Sequence, residues 1–358
     1  MNEPLLIRAD ASPSMGTGHV MRCLSLAAGW QRAGGNVQFL LASSTPALEQ
    51  RLRDEGMRFT NISASPGSET DASQTVALAR QCRAAWVVAD GYHFGATYQS
   101  QIKAAGLRLL LVDDYGHTKH YSADLVLNQN FSAREEWYKN REPYTRLLLG
   151  TRYVLLRKQF LAYRKWQRAI APVVGKVLVT LGGSDPDNVT GKVVEALRGL
   201  DVEAKIVVGG SNPHLDQLRS QISDFGAQVS LIVDTREMPS LMAWADVAIA
   251  AGGTTSWELA FMGLPSLVIV LANNQKEIAD ALAGHAVCIN LGTHTSVTVQ
   301  TIADALESLL GDASLRAAMN VSERVLVDGS GVERVVKLLT GDDHAATGVV
   351  KSQMTVES

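Results

Sequence analysis

The chain has 358 residues, of which 46% are hydrophobic and 19% are charged, and its formal net charge is −3 at pH 7. This length is too great for one hydrophobic core and predicts two domains of roughly 150 to 180 residues each. The charge leaves no basic surface for nucleic acid, no apolar run reaches the roughly 18 residues of a membrane span, and three scattered cysteines fit neither a disulfide framework nor a zinc site. We therefore predict a cytoplasmic protein with no nucleic-acid partner and no membrane insertion.

Strand-like apolar runs alternate with amphipathic stretches of helical length in two successive halves of the chain. The predicted strands are residues 5–9, 36–42, 86–90, 107–113 and 124–128, then 177–181, 205–208, 229–233, 246–250 and 266–271. This alternation is typical of parallel, doubly wound sheets. It predicts an α/β protein in which two Rossmann-like domains, residues 1–156 and 157–340, face a cleft that holds the ligand. Residues 341–358 are polar and unpatterned, and we predict a disordered tail there.

The first predicted strand leads into a glycine-containing turn and then a helix. Gly16 and Gly18 allow a ligand to approach the backbone, and His19 falls at the helix N-terminus, where free N–H groups attract anions. An imidazole in this position can exchange protons beside a bound phosphate or sugar. The alternative is an ordinary capped turn with a polar surface histidine, since the third glycine of the dinucleotide fingerprint is absent.

A second glycine turn follows the strand at 177–181. Backbone amides at Gly182, Gly183 and Ser184 would suit a phosphate. A tight turn that needs glycine only for its backbone angles is the alternative interpretation.

A third turn, Gly252-Gly253-Thr254-Thr255, ends the strand at 246–250 and opens a helix that carries Glu258 in its first turn. The amide of Gly253 and the two threonine hydroxyls can hold a diphosphate, while the carboxylate can accept hydrogen bonds from ribose hydroxyls. A capping box closed by Glu258 is compatible with the same pattern.

Asn274 and Gln275 follow the strand at 266–271 and are suited to a sugar or to phosphate oxygens, although an asparagine there can instead cap a helix. Asp113-Asp114 lacks the Asp-x-Asp spacing of metal-dependent transferases, and neighbouring His117 and His120 lack a convincing third ligand. We predict neither a metal nor a cofactor.

These segments resemble the UDP-2,4-diacetamido-2,4,6-trideoxy-β-L-altropyranose hydrolases of bacterial pseudaminic acid biosynthesis. The matching motifs are Arg8-Ala9-Asp10, Gly16-x-Gly18-His19-x-Met21-Arg22-Cys23-Leu24, Asp90-Gly91-Tyr92, Asp113-Asp114, Asp124-Leu125-Val126-Leu127-Asn128-Gln129-Asn130, Gly150-x-x-Tyr153-x-x-Leu156-Arg157, Leu181-Gly182-Gly183-Ser184-Asp185, and Gly252-Gly253 to Glu258. The resemblance spans about residues 5–339. Its second-domain turns are shared with the wider glycosyltransferase-B group.

The resemblance implies that the second domain binds UDP and that water cleaves the substrate in the cleft. By position, it implies that His19 is the catalytic residue, that Glu258 binds the ribose, and that Tyr92 and Asn274 contact the sugar. Arg22, from the motif of His19, is counted with the substrate-binding residues.

The predicted function is therefore a hydrolase that releases UDP from a UDP-sugar. Neutral His19 would take a proton from water as the water attacks the anomeric carbon with inversion. An inverting UDP-sugar-dependent glycosyltransferase would use the same fold with an acceptor hydroxyl, although residues 31–53 show no obvious apolar and basic patch for a lipid acceptor. A nucleotide-sugar-binding protein without turnover is the second alternative. The sequence does not determine the oligomeric state.

Overall fold

A computed structural model describes residues 4–12, 15–183, 185–210 and 212–341 of the chain. In its first half the strands are β1 (Leu5–Ala9), β2 (Val37–Leu41), β3 (Arg58–Asn61), β4 (Trp86–Asp90), β5 (Arg108–Val112), β6 (Leu125–Asn128) and β7 (Arg146–Leu149). The helices between them are α1 (Gly18–Arg32), α2 (Pro46–Asp54), α3 (Glu69–Cys82) and α4 (Ala96–Ala104).

A second alternating series follows a connecting segment that contains a 3₁₀ helix at Lys158–Tyr163. Its strands are β8 (Lys176–Thr180), β9 (Glu203–Val208), β10 (Val229–Val233), β11 (Val247–Ala251), β12 (Ser266–Val270) and β13 (Ile289–Thr293). Its helices are α5 (Val189–Ala196), α6 (Leu215–Ser223), α7 (Met238–Trp244), α8 (Thr255–Met262), α9 (Asn273–Gly284), α10 (Val299–Gly311), α11 (Ala313–Leu326) and α12 (Gly331–Thr340).

Each series forms one parallel sheet, which confirms the predicted α/β fold class. The strand orders are β3-β2-β1-β4-β5-β6-β7 and β10-β9-β8-β11-β12-β13. The central strands β1, β4, β8 and β11 are apolar along most of their length because helices cover both faces of a parallel sheet. In both sheets the order reverses beside the first strand, and this reversal creates a crevice at the carboxyl ends of the strands.

The structure adds edge strands that the apolar pattern did not predict. Every residue of β3 except Phe59 is exposed, and all residues of β13 are only partly buried. An edge strand has a neighbour on one side only and is less covered, so it lacks the continuous apolar run of a central strand.

Helix α12 packs against the first domain. Val332, Val335 and Leu339 lie in the same apolar core as α1, and the Trp86 indole N–H donates to the Leu339 carbonyl at 2.9 Å. A Cβ on Gly29 of α1 would lie 2.2 Å from a Val332 methyl, so glycine permits this close helix contact. The predicted boundary placed residues 331–340 in the second domain, whereas these contacts are with the first domain.

No helix in the described ranges is both long and apolar enough to cross a membrane. Most of the predicted tail, residues 342–358, lies outside the described part of the chain.

Candidate active site

A cavity of about 620 Å³ lies between the carboxyl ends of the two sheets. It is lined by every predicted site residue that the structure describes, namely Gly16, Gly18, His19, Arg22, Tyr92, Gly182, Gly183, Gly253, Thr254, Thr255, Glu258, Asn274 and Gln275. Ser184 falls outside the described residues. Residues separated by more than 250 positions therefore meet in one cavity of the size that small-molecule ligands occupy.

His19 lies in the first turn of α1 and lines the cavity. The N-cap residue, Thr17, makes no side-chain capping hydrogen bond, and the first turn carries no acidic residue. A Cβ on Gly18 would lie 4.0 Å from the Thr254 hydroxyl oxygen, which shows how closely the N-termini of α1 and α8 approach each other. Both helix dipoles thus point their positive ends into the same region.

Burial sets the protonation state of His19. Its Nδ1 is buried and has no hydrogen-bond partner among the described residues. Burial lowers the pKa of His19 and outweighs the Asp90 and Asp114 carboxylates, which act in the opposite direction. The imidazole is therefore neutral at neutral pH, the form that a general base requires.

Tyr92, two residues after β4, connects His19 to a buried carboxylate. The two rings meet edge to face with centroids 5.0 Å apart, and the Tyr92 hydroxyl donates to Asp114 Oδ2 at 2.7 Å. Burial and the adjacent Asp114 raise the pKa of Tyr92 above its usual value, so the hydroxyl keeps its proton. A role in packing alone would not account for this polar contact.

Arg22 is held by two carboxylates. Its guanidinium donates to both oxygens of Asp90 at 2.6 and 2.7 Å and to both oxygens of Asp114 at 2.7 and 3.0 Å. Burial disfavours the ionised form of Asp114, but the charge of Arg22 outweighs burial and holds the pKa of that carboxyl well below its usual range. Arg22 lines the cavity, and this pairing makes it a scaffold for Tyr92, while its role in binding substrate stays a prediction.

Asn274 bridges the two domains. It lies in the first turn of α9, and its Nδ2 donates to the Tyr92 hydroxyl at 2.9 Å. The N-cap position of α9 is Ala272, without a side-chain cap, so the alternative role of Asn274 as a helix cap is wrong. Gln275 beside it accepts a hydrogen bond from the Leu271 amide at 3.0 Å.

The two glycine turns of the second domain differ at the helices that follow them. Asp185 accepts hydrogen bonds from the Val189 and Thr190 amides at 2.9 and 2.8 Å, so its carboxylate occupies the N-terminus of α5. Thr254, in contrast, makes no side-chain cap at the N-terminus of α8. The turn before α8 therefore leaves its amides available for an anion.

Glu258 forms a bidentate ion pair with Arg157. The Arg157 guanidinium donates to the two carboxylate oxygens at 2.6 and 2.7 Å. This pairing, together with the uncapped Thr254, shows that the predicted capping box does not form. Arg157 lines the cavity and was not predicted as a site residue; its only signal in the sequence was its place as a basic residue at the end of a family motif.

Gln129 and Asn130 also line the cavity and were not predicted as site residues. They follow β6 directly, at the same edge of the sheet as Tyr92 and Asp114, and they are 2% and 1% exposed. The signal in the sequence that could have identified them is a run of amide side chains, Asn128-Gln129-Asn130, directly after an apolar run.

The Asp113 carboxylate accepts hydrogen bonds from the Tyr121 hydroxyl and two backbone amides and lies 3.2 Å from His117. His120 lies apart and contacts Asn140 and Glu142. Within the described ranges, no group of three His, Cys, Asp or Glu side chains is arranged to hold a metal ion.

Residues 177–326 match the glycosyltransferase family 28 C-terminal domain. The chain is 32% identical over 199 residues to the spore coat polysaccharide biosynthesis protein SpsG of Bacillus subtilis, covering 54% of this chain and 58% of that one. It is 24% identical over 281 residues to a UDP-2,4-diacetamido-2,4,6-trideoxy-β-L-altropyranose hydrolase of Campylobacter jejuni, covering 78% of this chain and 96% of that one. The chain thus matches less than two thirds of the Bacillus subtilis relative's length.

Among solved structures, MurG of Acinetobacter baumannii superposes with a TM-score of 0.63 at 18% identity, covering 95% of this chain and all of that one. The predicted resemblance to the altropyranose hydrolases is confirmed, and the chain has the two-domain glycosyltransferase-B fold.

Proposed function

We propose that this protein is a hydrolase that releases UDP from UDP-2,4-diacetamido-2,4,6-trideoxy-β-L-altropyranose. The observation that carries the proposal is the neutral, buried His19, which lies at an uncapped helix N-terminus and lines the same cavity as the uncapped N-terminus of α8. A base on one side and an anion site on the other suit cleavage of a sugar diphosphate. The names of the Campylobacter jejuni relative and of a bifunctional Helicobacter pylori relative support this substrate.

In the proposed mechanism, the second domain holds the leaving group. The amides of Gly253 and Thr255 and the N-terminus of α8 stabilise the charge that develops on the diphosphate, while Glu258, oriented by Arg157, accepts hydrogen bonds from the ribose hydroxyls. Because these donors stabilise the departing UDP, cleavage requires no general acid.

His19 supplies the base. Because Nδ1 is buried, we assign the base to Nε2, which takes a proton from water as the water oxygen bonds to the anomeric carbon. The bond from that carbon to the β-phosphate oxygen breaks, and its electron pair leaves with UDP. Attack from the face opposite UDP inverts the anomeric configuration. Tyr92, fixed by Asp114 and Asn274, would contact the sugar.

An inverting glycosyltransferase is the second candidate, favoured by the family 28 domain and the structural likeness to MurG. In that reaction His19 would take its proton from an acceptor hydroxyl. Incubating the protein with the UDP-sugar alone separates the candidates: release of UDP supports the hydrolase, release only with an acceptor supports the transferase, and binding without turnover supports neither enzyme.

The position of bond cleavage tests the mechanism itself. In ¹⁸O-labelled water, we expect the label in the free sugar, unlabelled UDP, and an inverted first-formed anomer by proton NMR. Label in UDP would mean attack at phosphorus and would refute a base aimed at carbon.

The role of His19 as the base is tested by the His19→Asn variant. The matched control is His120→Asn, since His120 lies in a partly exposed ion pair away from the cavity and its loss should leave the rate unchanged.

A further inference from the structure

The family motif that ends in Asn128-Gln129-Asn130 has no role in the mechanism above, yet two of its side chains line the cavity. Gln129 is 2% exposed and Asn130 is 1% exposed. A buried amide must satisfy its hydrogen bonds with protein or ligand, because leaving it unpaired costs about 1–3 kcal/mol.

The hydrogen bonds fix which way each amide points. Gln129 Oε1 accepts the Leu155 backbone N–H at 3.0 Å, so the oxygen faces the main chain and the Nε2 amino group is the end left over. Asn130 Nδ2 donates to the Asp114 carbonyl and to Asp114 Oδ1, both at 3.1 Å, so its Oδ1 is left as an acceptor. No described residue accepts from Gln129 Nε2 or donates to Asn130 Oδ1.

This wall of the cavity adjoins the reacting centre. Asp114, which holds Asn130, also accepts the Tyr92 hydroxyl at 2.7 Å, and the Tyr92 ring contacts the His19 ring. Leu155, whose N–H holds Gln129, lies two residues before Arg157, the partner of Glu258. The unused amide groups thus line the same cavity as the proposed base and the proposed ribose ligand, in which the sugar of a UDP-sugar would be bound.

The unused groups are the amino group of Gln129, which donates, and the carbonyl oxygen of Asn130, which accepts; together they complement the C=O and N–H of a secondary amide. The Asp114 carboxylate, which would otherwise accept hydrogen bonds from sugar hydroxyls, already receives Arg22, Tyr92 and Asn130. We propose that Gln129 determines which sugar the protein binds, by donating from Nε2 to the carbonyl oxygen of an acylamino substituent while Asn130 Oδ1 accepts the N–H of that substituent. This proposal rests on the proposed function.

Gln129→Glu tests this with little change in shape. A carboxylate can still accept the Leu155 N–H, so the local fold is retained, but the donor becomes an acceptor. Gln129→Met removes both functions and reports the structural part of the role. Binding of UDP, UDP-N-acetylglucosamine and UDP-glucose is measured by calorimetry in a His19→Asn background, where turnover does not interfere.

With Gln129 intact, we expect UDP-N-acetylglucosamine to bind at least tenfold more tightly than UDP-glucose. In Gln129→Glu this preference should fall to within twofold, while the affinity for UDP stays within twofold of its starting value. Gln50→Glu, which adds the same charge on the exposed α2 side of the cavity, should leave the preference intact.

Three results would overturn the proposal: no preference for the acylamino sugar with Gln129 intact, a preference retained in Gln129→Glu, or an equal loss of UDP affinity in that variant. The last would show a structural role only. These are binding measurements, so they stand even if the protein proves not to hydrolyse the sugar nucleotide, which is tested separately by UDP release.

Discussion

Replacing Arg22 with methionine should destabilise the first domain strongly, because two buried carboxylates would lose the cation that pairs with both. Asp90 is fully buried and Asp114 is 8% exposed. Removing one partner of a buried ion pair typically costs about 3–5 kcal/mol. Asp114 would keep its hydrogen bonds from Tyr92 and Asn130, whereas Asp90 would keep the Cys23 thiol at 3.4 Å.

We therefore expect Arg22→Met to lower the free energy of unfolding by about 4 kcal/mol, a large part of the roughly 5–15 kcal/mol that stabilises a typical protein. Urea unfolding at pH 7, followed by tryptophan fluorescence, measures this loss. Arg51→Met is the matched control: Arg51 lines the same cavity and pairs with Glu55 at 3.0 Å, but Glu55 keeps a second ion pair with Lys158 at 2.7 Å, so a clearly smaller loss is expected.

The loss should depend on pH in a defined direction. In the native protein Arg22 holds the pKa of Asp114 well below its usual range. The stability that this carboxylate contributes is therefore fully present above about pH 4. In Arg22→Met the buried Asp114 would instead resist ionisation, so the variant would lose stability as pH rises above about 4, and its deficit should be larger at pH 7 than at pH 5. Adding Asp114→Asn should recover part of the loss. A deficit under about 1 kcal/mol, or one unaffected by pH, would refute the scaffold role of Arg22.

The other predictions concern the proposed base, the ribose ligand and a buried acid. His19→Asn should lower kcat by roughly 100-fold or more with little change in UDP affinity. Because burial lowers the pKa of His19, the midpoint of the acid limb in the wild-type pH profile of kcat/KM should lie below the usual imidazole pKa of about 6.5. The wild type should therefore keep more than half of its maximal kcat/KM at pH 6.5. Glu258→Ala should weaken UDP binding in calorimetry and remove the wild-type preference for UDP over 2′-deoxy-UDP; equal discrimination by both proteins would exclude a ribose contact. Glu323 in α11 is buried with neither carboxylate oxygen hydrogen-bonded to a described residue, and burial raises its pKa well above its usual value. The native protein should therefore lose stability as pH rises above about 4.3, the usual glutamate pKa, and Glu323→Met should raise Tm at pH 8 more than at pH 5; a lower Tm in the variant at pH 8 would contradict this.

The alternation of apolar strands and amphipathic helices was enough to predict the fold. Strands inside a parallel sheet must be apolar on both faces, so their pattern is continuous and local, and β1, β4 and β10 have the predicted bounds. The position of His19 was also predictable, since a strand, a glycine turn and a helical pattern place the residue at the helix start. Local chemistry is readable wherever the determining contacts are a few residues apart.

Tertiary structure alone decided what those side chains contact. Arg22 pairs with carboxylates 68 and 92 positions away, and Arg157 pairs with Glu258 at a separation of 101. The amphipathic pattern of α12 shows that one face is buried but not which domain buries it. An ion pair or a packed face depends on which surfaces the chain brings together in space, and that information is distributed over both sheets. The sequence by itself therefore determined the two sheets and the helix that presents His19, whereas the folded chain decided that Tyr92, Asp114 and Asn274 meet beside it.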